Sequence, residues 1–445
     1  MNTYEVVVLG GGESGIGAAL LAKHKNFKVF LSEAGKLADK YRQILLKEGI
    51  SFEEEKHSEE IIFSAKTIVK SPGIPEKAPV IKTAREKGIE IISEIEFGAR
   101  FTQKKIVAIT GTNGKTTTTL LTHHLLNGGK IRATLAGNVG KSFAAAVIDD
   151  EKTDVYVLEV SSFQLDDIQT FRPYVALLLN ITPDHLDRYE YSLEKYARAK
   201  YRITENQTNS DFFIFNEADP LCNQVETEAQ KRGVRADRSF GNVRLENDAL
   251  SVGKFSPIPV EKLPLRGRHN MLNMIFAIQV ADIFDLEQSY LEEKLQTFVN
   301  APHRLQFIAE INGVKYINDS KATNVDAVSY ALDAFKEKLV WIAGGVDKGN
   351  DYSLIEDLAI KNVRVLICLG KDNKKLAEHF SGKISRIIDT NSMQAAIEAA
   401  NREAKPGEIV LLSPACASFD LFNNYEHRGA VFAETVENLR EKMTF

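Results

Sequence analysis

Short runs of Val, Ile, Leu and Ala recur along the chain. Each is broken by a glycine, proline or polar cluster and followed by a stretch in which apolar residues return every three or four positions. Strands without polar alternation are buried on both faces, and helices between them supply the covering layers, so the pattern predicts α/β units on parallel sheets. In a first unit, strands are expected at residues 5–9, 28–32, 61–63, 67–70 and 89–93, with closure near residue 100. A second alternation places strands at 106–109, 155–160 and 175–180, short strands and turns over 241–265, and an apolar core helix at 271–283. The pattern breaks at Ala301-Pro302-His303-Arg304, and a third alternation has strands at 315–318, 340–343, 363–368 and 409–412. A chain of 445 residues is longer than one core usually sustains. Three domains are therefore expected, at 1–100, 101–300 and 301–445.

The strand at 106–109 runs into Gly111-Thr112-Asn113-Gly114-Lys115-Thr116-Thr117 and then into helical periodicity as far as Leu126. Strand, glycine turn and helix together are the layout of a phosphate cradle, with a plain strand-to-helix turn as the alternative. Glycine lets successive N–H groups converge on phosphate oxygens at a helix N-terminus, where the dipole already favours negative charge. Lys115 can then reach the β- and γ-phosphates, and the Thr116 hydroxyl can ligate Mg²⁺. Counted from Gly111, the spacing is one residue tighter than the general G-x-x-x-x-G-K-[ST]. Glu159 interrupts the apolar run 155–160 near its end, and Asp184-His185 follows the run 175–180. A carboxylate at the end of a buried strand beside a phosphate loop suggests a magnesium ligand, direct or through water; a capping or ion-paired glutamate is the alternative.

The first strand opens into Gly10-Gly11-Gly12-Glu13-Ser14-Gly15, a G-x-G-x-x-G turn, and the second ends on Glu33. Alone this reads as a dinucleotide fingerprint, but any ribose diphosphate, or helix packing by itself, uses the same turn. Ser71-Pro72-Gly73-Ile74-Pro75 closes a later strand, at the kind of strand end where ligands of open sheets lie; a plain loop explains it equally well. Helix 192–204 carries Lys195, Arg198, Lys200 and Arg202. That reads as a solvated basic face, unless burial and like charge lower the pKa of one lysine and favour its neutral amine. In the third alternation the loops 318–324, 344–349 and 413–420 all follow strands and are expected to share one rim.

A net charge of −5 gives no general attraction to nucleic acid or to an anionic membrane, so phosphate-binding cations should be local. No apolar stretch approaches the length of a membrane span, and the N-terminus runs directly into a strand, so export is not expected. The cysteines, Cys222, Cys368 and Cys416, are few and far apart, which argues against a disulfide framework and a zinc cluster. A cytoplasmic monomer acting on small molecules is the expectation.

Taken together, G-T-N-G-K-T-T, L-E-V-S-S-F-Q-L, N-I-T-P-D-H-L-D-R-Y with Lys200 downstream, H-R at 303–304, N-D-S-K-A-T-N, G-G-V-D-K-G and S-P-A-C-A-S-F-D resemble the Mur ligase family. The last motifs resemble in particular its members that add D-glutamate. The resemblance implies a three-domain α/β fold: an N-terminal Rossmann-like unit for a UDP-linked substrate, a central P-loop ATPase-type sheet and a C-terminal Rossmann-like unit for the amino acid. The implied activity is ATP-dependent addition of D-glutamate to UDP-N-acetylmuramoyl-L-alanine through an acyl phosphate, in peptidoglycan precursor synthesis. It implies ATP at Gly111, Thr112, Asn113, Gly114, Lys115, Thr116 and Thr117, with Asn270, Arg304 and Asp319 around adenosine or the γ-phosphate. Two Mg²⁺ sites are implied, one on Thr116 and Glu159, the other on His185 and Lys200 as its carbamate. Asn138, Ser161, Gln164 and His185 resemble contacts to the muramoyl substrate, Gly12, Glu13, Ser14 and Gly15 contacts to the diphosphate, and Ser32, Ser71, Pro72 and Gly73 contacts to the uridine. Lys321, Thr323, Lys348, Ser418, Phe419 and Tyr425 match the D-glutamate pocket. The chain departs from the family after the second strand, where Ser32-Glu33-Ala34 stands in place of an Asp-Thr-Arg-like run, so a basic contact there is missing or supplied from elsewhere. Read without the resemblance, the N-terminal glycines leave open a nicotinamide-dependent oxidoreductase, and the phosphate loop leaves open a nucleotide-gated binding module. Within the family, a ligase for another amino acid is the alternative.

Overall fold

The strands Val6–Leu9, Val29–Ser32, Ser51–Glu53, Thr67–Lys70 and Glu90–Ser93 form a parallel sheet in the order third, second, first, fourth, fifth. The structure is a computed structural model that describes residues 4–238, 243–265 and 267–443; Arg266 and the first two residues of the 241–265 stretch lie outside the described residues. Because the order reverses between the first and fourth strands, a crevice opens at their carboxyl ends, where the Gly10–Gly12 turn and the Ser71–Gly73 turn emerge. The helix Glu13–His24 follows the glycine turn. A Cβ on Gly15 would sit 1.8 Å from the Gly10 carbonyl oxygen, so this glycine lets the helix close down on its own strand.

One expected strand is a helix. The apolar run at 61–63 predicts a strand, but Glu59–Ile62 is a single helical turn with Ile62 buried in the sheet's covering layer. Three apolar residues in a row cannot separate the two states, and the acidic pair Glu59-Glu60 favours a helical first turn. The edge strand Ser51–Glu53 has no apolar run to announce it: Ser51 is exposed, Phe52 packs half-buried against the core, and the buried residue is Glu53.

A second parallel sheet has the order Arg235–Arg238, Phe212–Phe215, Val175–Leu178, Lys105–Thr110, Val155–Glu159, Ala133–Gly137. On one face Val107, Ile109, Val157 and Leu177 pack with Phe276 and Val280 of the helix Arg268–Ile283. On the other, Ala108, Leu158 and Ala176 belong to the cluster that includes Tyr196 and Ala197 of the helix Leu193–Tyr201. Burial on both faces is what the unalternating strands required. A small antiparallel sheet, Val243–Glu246, Ala249–Val252 and Ile258–Pro259, follows.

Buried carboxylates join the first two sheets. Glu96 accepts N–H groups from Gln169 (2.9 Å), Thr170 (2.9 Å) and Phe171 (2.7 Å), and Asp167 pairs with Lys70 at 2.8 Å and Arg85 at 2.7 Å. Such contacts place both sheets in one compact unit, which runs to Pro264 and again from Leu272 to Phe298.

The second unit comprises Leu265–Met271 and the chain from Val299 onward, so the division falls within the helix Arg268–Ile283. Its sheet has the order Gln306–Ile311, Val314–Asn318, Ile409–Leu412, Leu339–Ala343, Val363–Leu369, Arg386–Thr390. Only the first strand is antiparallel. Among the described residues no helix is long and apolar enough to cross a membrane.

Candidate functional site

In the second sheet the strand Lys105–Thr110 lies between Val175–Leu178 and Val155–Glu159, so the loops leaving all three emerge at one edge. Gly111 and Gly114 take φ of +151° and +84°, a backbone course that L side chains rarely adopt, and the helix Lys115–Leu126 begins at once. A Cβ at Gly114 would lie 2.4 Å from Asn273 Oδ1, the same oxygen that accepts from Thr118 Oγ1 at 3.2 Å. Asn180 holds the turn from the other side: its Oδ1 accepts from the N–H groups of Thr112 (3.1 Å) and Asn113 (2.8 Å), and its Nδ2 donates to the Asn113 carbonyl. Thr112 Oγ1 donates to the Thr182 carbonyl at 3.1 Å and meets the Tyr196 hydroxyl at 3.2 Å. Thr116 and Thr117 are buried in the first helical turn.

Two lysines converge on this turn. Lys115 Nζ donates to the carbonyls of Gly111 and Thr112, each at 2.8 Å, and Lys200 Nζ donates to the same Gly111 carbonyl at 2.8 Å. Lys200 is 1% exposed and its ammonium lies 4.5 Å from the Tyr196 ring centre. Burial, reinforced by the charge of Lys115, holds its pKa well below the ordinary lysine value. The basic-face reading is therefore wrong for this residue. It holds for Lys195 and Arg198, which pair with Glu190 and Glu194 at the surface, whereas the half-buried Arg202 pairs with Glu205 and also donates to the carbonyls of Asp166 and Ile168.

Glu159 is 3% exposed, beside Ile109 in the sheet register, and accepts from Asn138 Nδ2 at 2.8 Å. His185 takes φ +51° at the head of the turn Leu186–Arg188; its Nε2 is 3.7 Å from Asp184 Oδ2, and its ring packs edge-on against Phe163. Ser161 and Gln164 cap one another at the start of the short helix Ser162–Leu165, so their polar groups have a structural use. In the first sheet the Glu33 carboxylate accepts from the N–H groups of Gly11 (2.6 Å) and Gly35 (2.8 Å), bracing the glycine turn. Ser32 donates to Glu53 at 2.7 Å and meets His57 Nδ1 at 2.6 Å, while Glu13 accepts from the Tyr41 hydroxyl. Ser14 lies in the first turn of the helix Glu13–His24, after Gly12 at its N-cap.

In the second unit the strands Val314–Asn318, Ile409–Leu412 and Leu339–Ala343 are adjacent and parallel, so the three polar loops do share one rim. Ser413 Oγ donates to Asp319 Oδ2 at 2.9 Å, the Leu305 N–H donates to its Oδ1 at 3.2 Å, and burial pushes the Asp319 carboxyl up to about 7 against the opposing charge of Arg304. Lys321 Nζ lies 5.3 Å from the Tyr425 ring, Ser418 is buried, and Phe419 is 70% exposed. Thr323 follows Lys321 in the same loop, its N–H donating to the Lys321 carbonyl, and Lys348 lies in the loop after Leu339–Ala343. Asn270 stands in the first turn of the helix Arg268–Ile283. A residue not anticipated, Arg428, is 1% exposed and binds Ser320 Oγ (3.0 Å), the Ser320 carbonyl (2.9 Å) and the Cys416 carbonyl (3.1 Å), joining two of the loops. Two recesses, of about 580 Å³ near Tyr352 and about 520 Å³ near Arg172, are lined by none of the candidate residues.

The Asp319 environment sets a pH dependence of stability. An acid whose native pKa lies above its unfolded value binds more protons when folded, so its burial costs nothing at low pH and progressively more as pH rises from about 4 to about 7. Asp319→Asn should therefore raise the thermal midpoint at pH 8 more than at pH 5, by the equivalent of at most about 3 kcal/mol. Calorimetric scans of both proteins at the two pH values measure the difference.

Models of three consecutive domains match the chain: the Mur ligase MurD-like N-terminal domain over residues 4–93, the Mur ligase middle domain over 109–281, and the Mur ligase glutamate ligase domain over 303–416. The chain belongs to the Mur ligase family. Two Mur ligases named UDP-N-acetylmuramoylalanine–D-glutamate ligase are similar from end to end. That of Porphyromonas gingivalis is 49% identical over 446 residues, and that of Christiangramia forsetii 46% over 444, each alignment covering 98% of this chain and 99% of the relative. Among solved structures, the MurF ligase of Thermotoga maritima in complex with ADP has a TM-score of 0.60 at 15% identity, covering 93% of this chain and 95% of that one. At that identity the likeness establishes the fold, the three-domain α/β architecture of Mur ligases.

The donor types limit which metal chemistry the residues suit. Among the described residues no three His, Cys, Asp or Glu side chains gather as a ligand set. Thr116 and Glu159 offer one hydroxyl and one carboxylate, which suits a magnesium ion held mainly by phosphate oxygens and water. His185 with an unmodified Lys200 does not suit one, because neither supplies the anionic oxygen that magnesium prefers; a carbamate on Lys200 would supply it.

Proposed function

We infer that this chain is an ATP-dependent ligase that joins D-glutamate to UDP-N-acetylmuramoyl-L-alanine in peptidoglycan precursor synthesis. The carrying observation is the pair of lysines meeting on the Gly111 carbonyl, in a chain alike from end to end to ligases of that name. A carboxylate is a poor electrophile until it bears a leaving group, and bringing it to a triphosphate sets two anions against each other. Lys115 offsets that repulsion at the γ-phosphate. The phosphoryl group passes to the L-alanyl carboxylate, ADP leaves, and the amine of D-glutamate attacks the acyl phosphate. The carbon–oxygen bond to phosphate breaks, the amine loses a proton, and an amide remains. A magnesium ion on Thr116 and Glu159 would polarise the transferring phosphate, and a second on His185 and carbamylated Lys200 would draw the acceptor carboxylate towards it.

The working division is residues 1–100 for the UDP-linked substrate, 101–300 for ATP and 301–445 for D-glutamate. In the first, Gly12, Glu13, Ser14 and Gly15 face the diphosphate, and Ser32, Ser71, Pro72 and Gly73 the uridine. Asn138, Ser161 and Gln164 serve the muramoyl arm, with His185. Asn113, Thr117, Asn270, Arg304 and Asp319 serve ATP. Lys321, Thr323, Lys348, Ser418, Phe419 and Tyr425 form the amino-acid pocket, where two ammonium groups and three hydroxyls suit a dicarboxylate. The enzyme works as a cytoplasmic monomer.

The reading is tested by phosphate release across a panel of amino acids with each UDP-muramoyl acceptor; release confined to D-glutamate with UDP-N-acetylmuramoyl-L-alanine is expected. Release with meso-diaminopimelate or lysine instead would make it a ligase for another residue. ATP binding without release in any combination would leave only a binding module. Lys348→Ala should raise the KM for D-glutamate at least about tenfold, the scale of one charge-assisted hydrogen bond, with the KM for ATP within twofold. Equal changes in both would remove Lys348 from the pocket.

A further inference from the structure

Arg188 makes an unusual set of contacts for a half-buried side chain. Its NH1 donates to the Gly73 carbonyl at 3.2 Å, and its NH2 to the carbonyls of Pro72 (3.2 Å) and Ile74 (3.4 Å), three consecutive acceptors in a turn of the first sheet. Its guanidinium lies 4.5 Å from the Phe163 ring centre, and the same ring packs on His185 at 5.4 Å and stacks on Tyr189 at 5.9 Å. Its own N–H donates to the His185 carbonyl at 3.0 Å, within the turn whose left-handed entry at His185 aims that side chain. The turn it grips touches the glycine loop in turn, since Ser71 Oγ donates to the Gly10 carbonyl at 3.4 Å. The contacts therefore run without a gap from the crevice of the first sheet, through residues 71–74, to the backbone and ring of His185.

We propose that Arg188 is a positioning residue that couples occupancy of the Ser71–Ile74 turn by a uridine-diphosphate substrate to the placement of His185. The proposal rests on the functional reading above. It needs both properties of arginine: a planar fork that spans several carbonyls, and a face that stacks on an aromatic ring. A lysine keeps the charge but offers one nitrogen, without the planar two-nitrogen fork or the face that stacks on a ring. A substrate that settles the turn fixes its carbonyls, hence the guanidinium, hence the 184–188 segment. Binding energy gained at the nucleotide end is thereby used to order groups at the reacting end.

Two measurements on the full chain test this, with Arg188→Ala and Arg188→Lys each shown by thermal unfolding to be folded. Amide exchange is followed over residues 184–189 with and without UDP-N-acetylmuramoyl-L-alanine, ATP and metal being omitted. Slowed exchange is expected in the unmodified chain and its loss in both variants. In phosphate release, both variants should show a KM for the UDP-linked substrate raised about tenfold and a half-saturating Mg²⁺ concentration raised in parallel, with the KM for D-glutamate within twofold. If substrate slows exchange at 184–189 equally in all three proteins, or the lysine variant behaves like the unmodified chain, the coupling is overturned. If the unmodified chain releases no phosphate from any acceptor, the functional reading falls, and the coupling to that substrate falls with it. An active unmodified chain with unshifted variants removes only the coupling.

Discussion

Lys115→Ala is expected to lower phosphate release by at least about a thousandfold, the scale seen when a preorganised cation or donor is removed from a developing negative charge. The side chain sits where that loss is specific. It leaves the first residue of the helix Lys115–Leu126 and folds back over the turn, its ammonium on the carbonyls of Gly111 and Thr112. Those two bonds contribute about 2–3 kcal/mol to the turn at most, since each exchanges for water when lost. Asn180 and Asn273 continue to hold the backbone course. A folded, inactive protein is thus the expected product, and thermal unfolding together with single-turnover phosphate release distinguishes it from an unfolded one. Near-normal turnover in a folded Lys115→Ala protein would remove the glycine turn from the phosphoryl-transfer site.

The parts of this arrangement that were legible in the chain are those carried by local pattern. Unalternating strands announce parallel sheets, and glycines between an apolar run and a helical period announce the tight turn from the strand Lys105–Thr110 into a helix, because both depend on near neighbours in sequence. Polar residues that act across long separations are not legible in this way. Asn180 reaches the turn 67 residues before it, and although it opens the N-I-T-P-D-H motif, no local pattern says that its side chain holds that turn. The same holds for Glu96, Asp167 and Arg428, whose burial follows from partners that only the fold supplies.

Lys200 lies between these cases. Its helix reads as basic throughout, yet Tyr196, Lys200 and Ile203 fall at the spacing of one buried face, while Lys195, Arg198 and Arg202 find surface carboxylates. A lysine among tyrosine, alanine and isoleucine on the inward face of a charged helix is the signal that was available.

That placement makes Lys200→Ala the second large effect. The amine is desolvated and shares an acceptor with Lys115, so the protein holds it below its ordinary pKa and favours the neutral, nucleophilic form. A neutral amine can take up carbon dioxide, forming a nitrogen–carbon bond and releasing one proton; the carbamate then carries negative charge towards Lys115 and towards metal. Replacing Lys200 with Ala should reduce phosphate release about a hundredfold or more, with formate or acetate restoring part of it by supplying the missing carboxylate. No recovery at any concentration of either acid would exclude the carbamate role. Stability offers a readout independent of turnover. A lysine whose native pKa is depressed binds fewer protons folded than unfolded, so its contribution to stability rises with pH from the native value towards about 10.5. Lys200→Met should remove that rise, and denaturant midpoints for the two proteins at pH 7 and pH 9 should then differ less at the higher pH. The same logic links the two lysines. Lys115→Ala deletes a charge that depresses Lys200, so the neutral fraction of Lys200 should fall. ¹³C-labelled bicarbonate should then yield a weaker carbamate resonance from the Lys115→Ala protein than from its parent. An undiminished resonance would mean that burial alone, without the neighbouring ammonium, prepares the amine.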